Sequence, residues 1–176
     1  GKAITSYHAD IFGKLNILNR DLQGPKSTLV DAKTKVCAFI SKLHLFKQNI
    51  NRQELHHFSW LMKCAPLNND TTMAIFDHMD ALEVEFNKDF ADLKALYIPG
   101  WFIQPFITEL SDVEMELQDE IAEVQNDPNA LALHKAKSTL MWFDSGLMER
   151  FPRCAAKALK LLLPIIIPGG SRVKCS

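Results

Sequence analysis

The sequence predicts a mainly α fold: a helical bundle over residues 1–97, a second segment over 98–164 and a tail over 165–176. Three observations predict it. Leu29, Ala32, Val36, Phe39, Leu43, Phe46 and Ile50 recur by threes and fours without a break, a seam suited to antiparallel packing in a bundle. Ile4, Ile11, Leu15, Leu18 and Leu22 share one face of an earlier helix. Apolar residues make up 47% of the 176, enough to build a core, which argues against disorder as the state of the whole chain.

The elements follow in order. The first helix should stop at Gly24-Pro25, where glycine permits a left-handed cap and proline cannot continue the helix. The connection is short, so the first two helices are expected to be antiparallel neighbours. A third helix is expected over Gln53–Lys63, stopped by Pro66, with Asn68-Asn69-Asp70 supplying turn and cap residues. A fourth runs from about Thr71 to Leu96, with Met73, Phe76, Met79, Leu82, Phe86, Phe90, Leu93 and Leu96 or Tyr97 facing inward. Ile98-Pro99-Gly100 breaks the pattern, and the aromatic, β-branched Trp101–Ile107 reads as an extended segment at a sheet edge. Ser111 with Glu114 three residues on reads as a capping box opening an acidic helix that ends near Asn126. Asp127-Pro128 is an N-cap followed by a first-turn proline, so another helix starts there. Ser138–Leu147 is ambiguous. Phe151-Pro152 introduces a last helix, Ala155–Leu163, ended by Pro164, and the tail from Ile165 shows no periodicity.

The net charge of −1 hides a pattern. Residues 1–65 hold ten Lys/Arg against four Asp/Glu, residues 66–149 four against seventeen, and residues 150–176 six against none. The simplest reading is solvated helix faces of opposite sign; the alternative is a basic block meeting nucleic acid and an acidic one meeting a basic partner. The longest apolar run, Ala158–Pro168, is too short to span a membrane. Cys37, Cys64, Cys154 and Cys175 form no CxxC pair, which fits reduced thiols in a nuclear or cytosolic protein. The first residue is Gly1, and the sequence reads as a piece of a longer or processed chain.

No self-sufficient catalytic motif is present. His56-His57 with Cys64 is the densest His/Cys cluster, but adjacent histidines on a helix point about 100° apart and do not readily share an ion. Asp77 and Asp80 share a helix face that reads as simply wet. Neither a GxSxG elbow nor a glycine-rich phosphate loop occurs. No cofactor is implied. Trp60, Trp101 and Trp142, each among apolar neighbours, read as core anchors. The basic face of the second helix is the best nucleic-acid candidate: Lys26 and Lys33 lie along one side of the seam, Lys35 and Lys42 along a neighbouring line. Such a stripe neutralises phosphates without reading bases, so DNA binding is expected to be weak, sequence-blind and steeply salt-dependent.

Three stretches carry a family resemblance: Ala9-Asp10-Ile11-Phe12-Gly13-Lys14-Leu15-Asn16-Ile17-Leu18-Asn19 through Leu22-Gln23-Gly24; Glu116-Leu117-Gln118-Asp119-Glu120-Ile121 with Val124-Gln125-Asn126-Asp127; and Met141-Trp142-Phe143, Phe151-Pro152 and Ala155-Ala156-Lys157-Ala158-Leu159-Lys160-Leu161-Leu162-Leu163-Pro164. In this order they resemble the C-terminal half of hAT-family transposases. The nearest likeness is to vertebrate and arthropod forms labelled general transcription factor II-I repeat domain-containing, SCAN domain-containing or BED zinc-finger proteins. The resemblance covers about Ala9 to Pro164. It implies that the bundle corresponds to the family's helical insertion and that residues 98–164 form a partial RNase-H-like and dimerisation segment.

The family's chemistry rests on three carboxylates holding divalent metals. The third is expected just after the Leu-Leu-Pro motif, but no Asp or Glu follows Glu149, and the tail departs from the family's pattern. The resemblance therefore implies a non-enzymatic, nuclear segment acting through protein–protein contacts. The alternatives are part of an active transposase whose acids lie elsewhere, and an unrelated helical adaptor. It also implies that Trp142, Phe143, Phe151, Leu159, Leu162 and Leu163 form a core or dimerisation cluster. Self-association or another protein is the expected partner, with weak DNA contact as an addition and no membrane.

Overall fold

The computed structural model describes residues 1–24 and 27–162. Helix accounts for 79% of it and no strand occurs among the described residues, so the fold is mainly α. The chain divides into two compact units, one from residues 1–24, 27 and 31–96, the other from 28–30 and 97–162.

The first unit is built on three long helices: α1 (Lys2–Gln23), α2 (Leu29–Asn51) and α3 (Asn69–Asp89), with the short α4 (Ala91–Ala95) after them. The seam residues Ala32, Val36, Phe39, Leu43, Phe46 and Ile50 are all buried, as are Ile11, Leu15, Leu18 and Leu22 of α1. Late residues of α1 meet early residues of α2: Lys35 Nζ donates to the Asp21 carbonyl at 3.4 Å, while Lys14 Nζ sits 5.1 Å from the Phe46 ring. The two helices therefore run antiparallel. So do α2 and α3, since the Phe39 and Phe86 rings pack 5.1 Å apart and Lys47 reaches Asp80 at 2.9 Å. Lys47 is itself buried and also pairs with Glu83, whose hydrogen bond, with help from Asp80, raises the ammonium's pKa against the opposing pull of burial.

Several expectations need correcting. α1 ends at Gly24 in an extended conformation (φ −60°, ψ 144°), so the left-handed cap is not used; Pro25 lies outside the described residues. No α-helix forms over Gln53–Lys63. Gln53 takes a left-handed φ of 61°, and its side-chain amide pairs with the Leu67 backbone, accepting at 2.9 Å and donating at 3.3 Å. Only Leu61–Cys64 is helical there, as a 3₁₀ turn. Leu61 of this turn is buried, as are Leu55 and Phe58 in the irregular chain before it. Along α3 the inward line is Ile75, Met79, Leu82 and Phe86, whereas Met73 is 64% exposed. Trp60 is 55% exposed and is no core anchor; Lys63 lies over its ring instead.

The second unit holds α5 (Gly100–Ile103), α6 (Gln118–Gln125), α7 (Pro128–Lys137), α8 (Ser145–Arg150) and α9 (Pro152–Leu162), with 3₁₀ turns at Leu110–Asp112, Met115–Leu117 and Ser138–Phe143. The expected edge strand is a helical turn. A strand would send Trp101 and Phe102 to opposite faces, whereas here both are buried in one core. The Trp101 indole meets Trp142 edge-on at 5.5 Å and donates to Glu114 at 2.8 Å. That bond replaces the expected capping box: a buried indole N–H needs an acceptor, and Glu114 supplies it. The acidic helix starts at Gln118, not at Ser111. Asp127 does cap α7, accepting from the amides of Asn129 and Ala130 at 2.8 and 3.3 Å, and it also pairs with Arg150.

Candidate functional site

The most promising site in the first unit is a groove of about 560 Å³ flanked by α1 and α2. Its α1 wall is Lys14, Ile17, Leu18 and Asp21; its α2 wall is Lys35, Ala38, Phe39, Lys42, Leu45 and Phe46, with His57 closing one end. The spacing explains the placement. Positions 14, 17, 18 and 21, and 35, 38, 39, 42, 45 and 46, each recur by threes and fours, so each helix turns one continuous line toward the groove. Leu18, Phe39 and Phe46 belong at once to this line and to the core, while Ile17 and Leu45 stay 52% and 43% exposed.

The lysines rim an apolar floor. Lys14 Nζ lies 5.1 and 5.3 Å from the Phe46 and Phe58 rings, a cation–π placement. Burial lowers the pKa of this ammonium, Asp10 opposes that effect, and Lys42 adds to it. Lys35 and Lys42 stand seven residues apart, two turns or about 10 Å along α2. Of the lysines predicted to contact phosphate, only these two line the groove. Lys33 instead donates to the Leu96 carbonyl, which closes the chain after α4, and Lys26 lies outside the described residues. Sequence reasoning missed Lys14, Ile17 and Leu45, although the second threes-and-fours line on each helix was the signal for them.

The chain is similar to general transcription factor II-I repeat domain-containing protein 2. The cattle protein of that name (Bos taurus) is 30% identical over 122 residues, and the mouse protein (Mus musculus) 28% over 121. In each case the match covers 68% of this chain and 13% of the relative, so the chain spans a small part of these proteins. No family model matches the chain. No solved structure matches it.

The other sequence candidates have structural surroundings. Trp142, Phe151 and Leu162 are buried in the second unit's apolar cluster; Leu159 is half-buried and Phe143 is 47% exposed. Leu163 lies outside the described residues, as does Cys175. Cys154 is buried, and burial, with Glu120 beside it, pushes its thiol far above the ordinary range. Glu120 also accepts the Arg153 and Cys154 amides at 3.2 and 2.8 Å, capping α9 from a different helix. Among the described residues no group of three His, Cys, Asp or Glu is placed to hold a metal. The rings of His56 and His57 lie 4.0 Å apart, tilted by 45°, and His57 packs against Phe46 at 5.1 Å. No helix of the described residues is long and apolar enough to cross a membrane.

Asp77 and Asp80 share no site: Asp80 is engaged with Lys47, and the intervening His78 is hydrogen-bonded to the Tyr7 hydroxyl at 2.8 Å. Burial, then the neighbouring His8, lowers the His78 pKa below its ordinary 6.5; burial, then His56 and Lys14, does the same for His57. The unfolded chain takes up these protons near pH 6.5, and the folded chain only at lower pH. The stability they contribute is thus present above about pH 6.5 and lost as pH falls through the lowered folded values. Urea unfolding followed by circular dichroism should give a lower midpoint at pH 5.5 than at pH 7.5, and a smaller difference in His78→Gln. An unchanged midpoint would contradict this assignment.

Proposed function

We propose that the chain is a non-catalytic segment of a nuclear, hAT-transposase-derived protein and works through protein–protein contacts. The observation that carries the contact role is the groove between α1 and α2, with an apolar floor partly open to solvent and a rim of lysines. The lineage draws on the three quoted motif stretches and on the likeness to general transcription factor II-I repeat domain-containing protein 2 over 68% of the chain. The family's two-metal strand transfer does not fit the residues present: no carboxylate stands at the third position after Leu163-Pro164, and no metal-holding group occurs among the described residues. Dimerisation through the second unit is the weaker form of this reading, because Trp142, Phe151 and Leu162 are already covered.

The test pairs two assays on the purified chain. Incubation with supercoiled DNA and Mg²⁺ or Mn²⁺ should give no nicking or strand transfer. A labelled duplex should bind weakly and without sequence preference, with affinity collapsing as salt rises from about 50 to 200 mM, the behaviour of lysine–phosphate contacts alone. Cleavage abolished by replacing an acid of this chain would overturn the non-catalytic reading. Binding that survives high salt and prefers one sequence would make the chain a DNA reader.

A further inference from the structure

We infer that the α1–α2 groove receives an acidic amphipathic helix from another protein, which lies along both helices and converts the three-helix bundle into a four-helix one. The inference rests on the protein-contact reading above and names the partner's chemistry. α3 contributes nothing to the groove lining, and α1 and α2 each carry a second line of side chains that shares only Leu18, Phe39 and Phe46 with the core. Each line has the spacing that a packed helix presents to a neighbour. The α2 line from Lys35 to Leu45 extends for about 15 Å, which matches three turns of an added helix.

Charge selects among occupants. Lys14, Lys35 and Lys42 face the groove against a single acid, Asp21. An anion alone would leave Ile17 and Leu45 wet, and an uncharged apolar helix would bury the Lys42 ammonium without a partner. A helix with an apolar stripe, flanked by carboxylates one or two turns apart, satisfies both the floor and the rim. Duplex DNA meets the lysines but offers nothing to the floor. The chain's own acidic helices cannot serve, since Ile121 and Val124 of α6, and Met79 and Leu82 of α3, are already buried. The segment 165–176 carries Arg172 and Lys174 and no acid, the wrong sign for this rim.

The experiment is fluorescence anisotropy with the full chain and a labelled designed helix of about five turns, leucine on one stripe and glutamate beside it. Its competitors are the same helix with lysine for glutamate, and a duplex DNA of similar length. Lys35→Glu/Lys42→Glu tests the rim; Ile17→Ser/Leu45→Ser tests the floor at exposed positions where folding is not at stake. The acidic helix should bind more tightly than both competitors. Each double variant should weaken it by about tenfold or more while leaving the melting temperature unchanged. Equal binding of the lysine helix would overturn the inference. Tighter binding of DNA, sensitive to the rim pair and not to the floor pair, would assign the groove to nucleic acid. Absence of binding by the acidic helix would refute the groove's proposed partner and leave the non-catalytic reading standing, since that reading fails only in the DNA assays.

Discussion

Replacing Trp142 by alanine is expected to cost the second unit about 3–5 kcal/mol, enough to unfold a marginal domain. The side chain is fully buried, meets Trp101 edge-on and donates its indole N–H to the Phe102 carbonyl at 3.2 Å. Alanine removes the ring volume, the aromatic pair and the donor together. Trp142→Phe keeps most of the volume and leaves the carbonyl unpaired, so its cost should be smaller, about 1–3 kcal/mol. Chemical denaturation monitored by circular dichroism at 222 nm checks both. A cost under about 1 kcal/mol for alanine would mean that Trp142 does not anchor this core. The same logic changes what a Leu162→Asp variant reports: it buries a charge in the second unit, and its first effect should be loss of structure, not dispersal of an oligomer.

The second large effect belongs to the bundle. Leu43→Ala should destabilise the first unit by about 2–5 kcal/mol, because Leu43 is fully buried in the middle of the α2 seam. Leu45→Ala, two residues further on and 43% exposed, should stay within about 0.5 kcal/mol. The pair tests the register of α2 directly: a rotation of the helix by half a turn would exchange the two costs. It also separates folding from recognition, since Leu45 is a groove residue whose loss should be felt in helix binding and not in unfolding.

The corrections share a physical cause. The cap at Asp127 could be read from the sequence because donor and acceptor are neighbours along the chain. Asp10 could not: its carboxylate accepts the Trp60 and Leu61 amides at 3.0 and 2.9 Å, from about fifty residues away, and this fixes the 3₁₀ turn where an α-helix was expected. Glu114 could not be read either, because the indole that takes it lies in a different turn of the chain. A local motif states what a residue is able to bond; a buried donor arriving from elsewhere decides what it does bond.

Of the site, the sequence yielded Lys35 and Lys42 but grouped them with Lys33, which the fold turns to a carbonyl at the end of α4. Helical periodicity assigns a side chain to a face, and it is blind to what stands opposite that face. Lys14 joins Lys42 only through the antiparallel packing of α1 on α2, and Ile17 and Leu45 become a floor only because α3 covers the other side. What the sequence determined by itself was the α class, the buried seams of α1 and α2, the local cap at Asp127 and the lack of an acid after Glu149. These follow from spacing and residue chemistry within one or two helical turns. The tertiary structure decided the conformation of residues 53–63 and 101–107, the exposure of Trp60, and the meeting of lysines with apolar side chains in one groove. Each of those depends on partners brought together across tens of residues, where packing outweighs local preference.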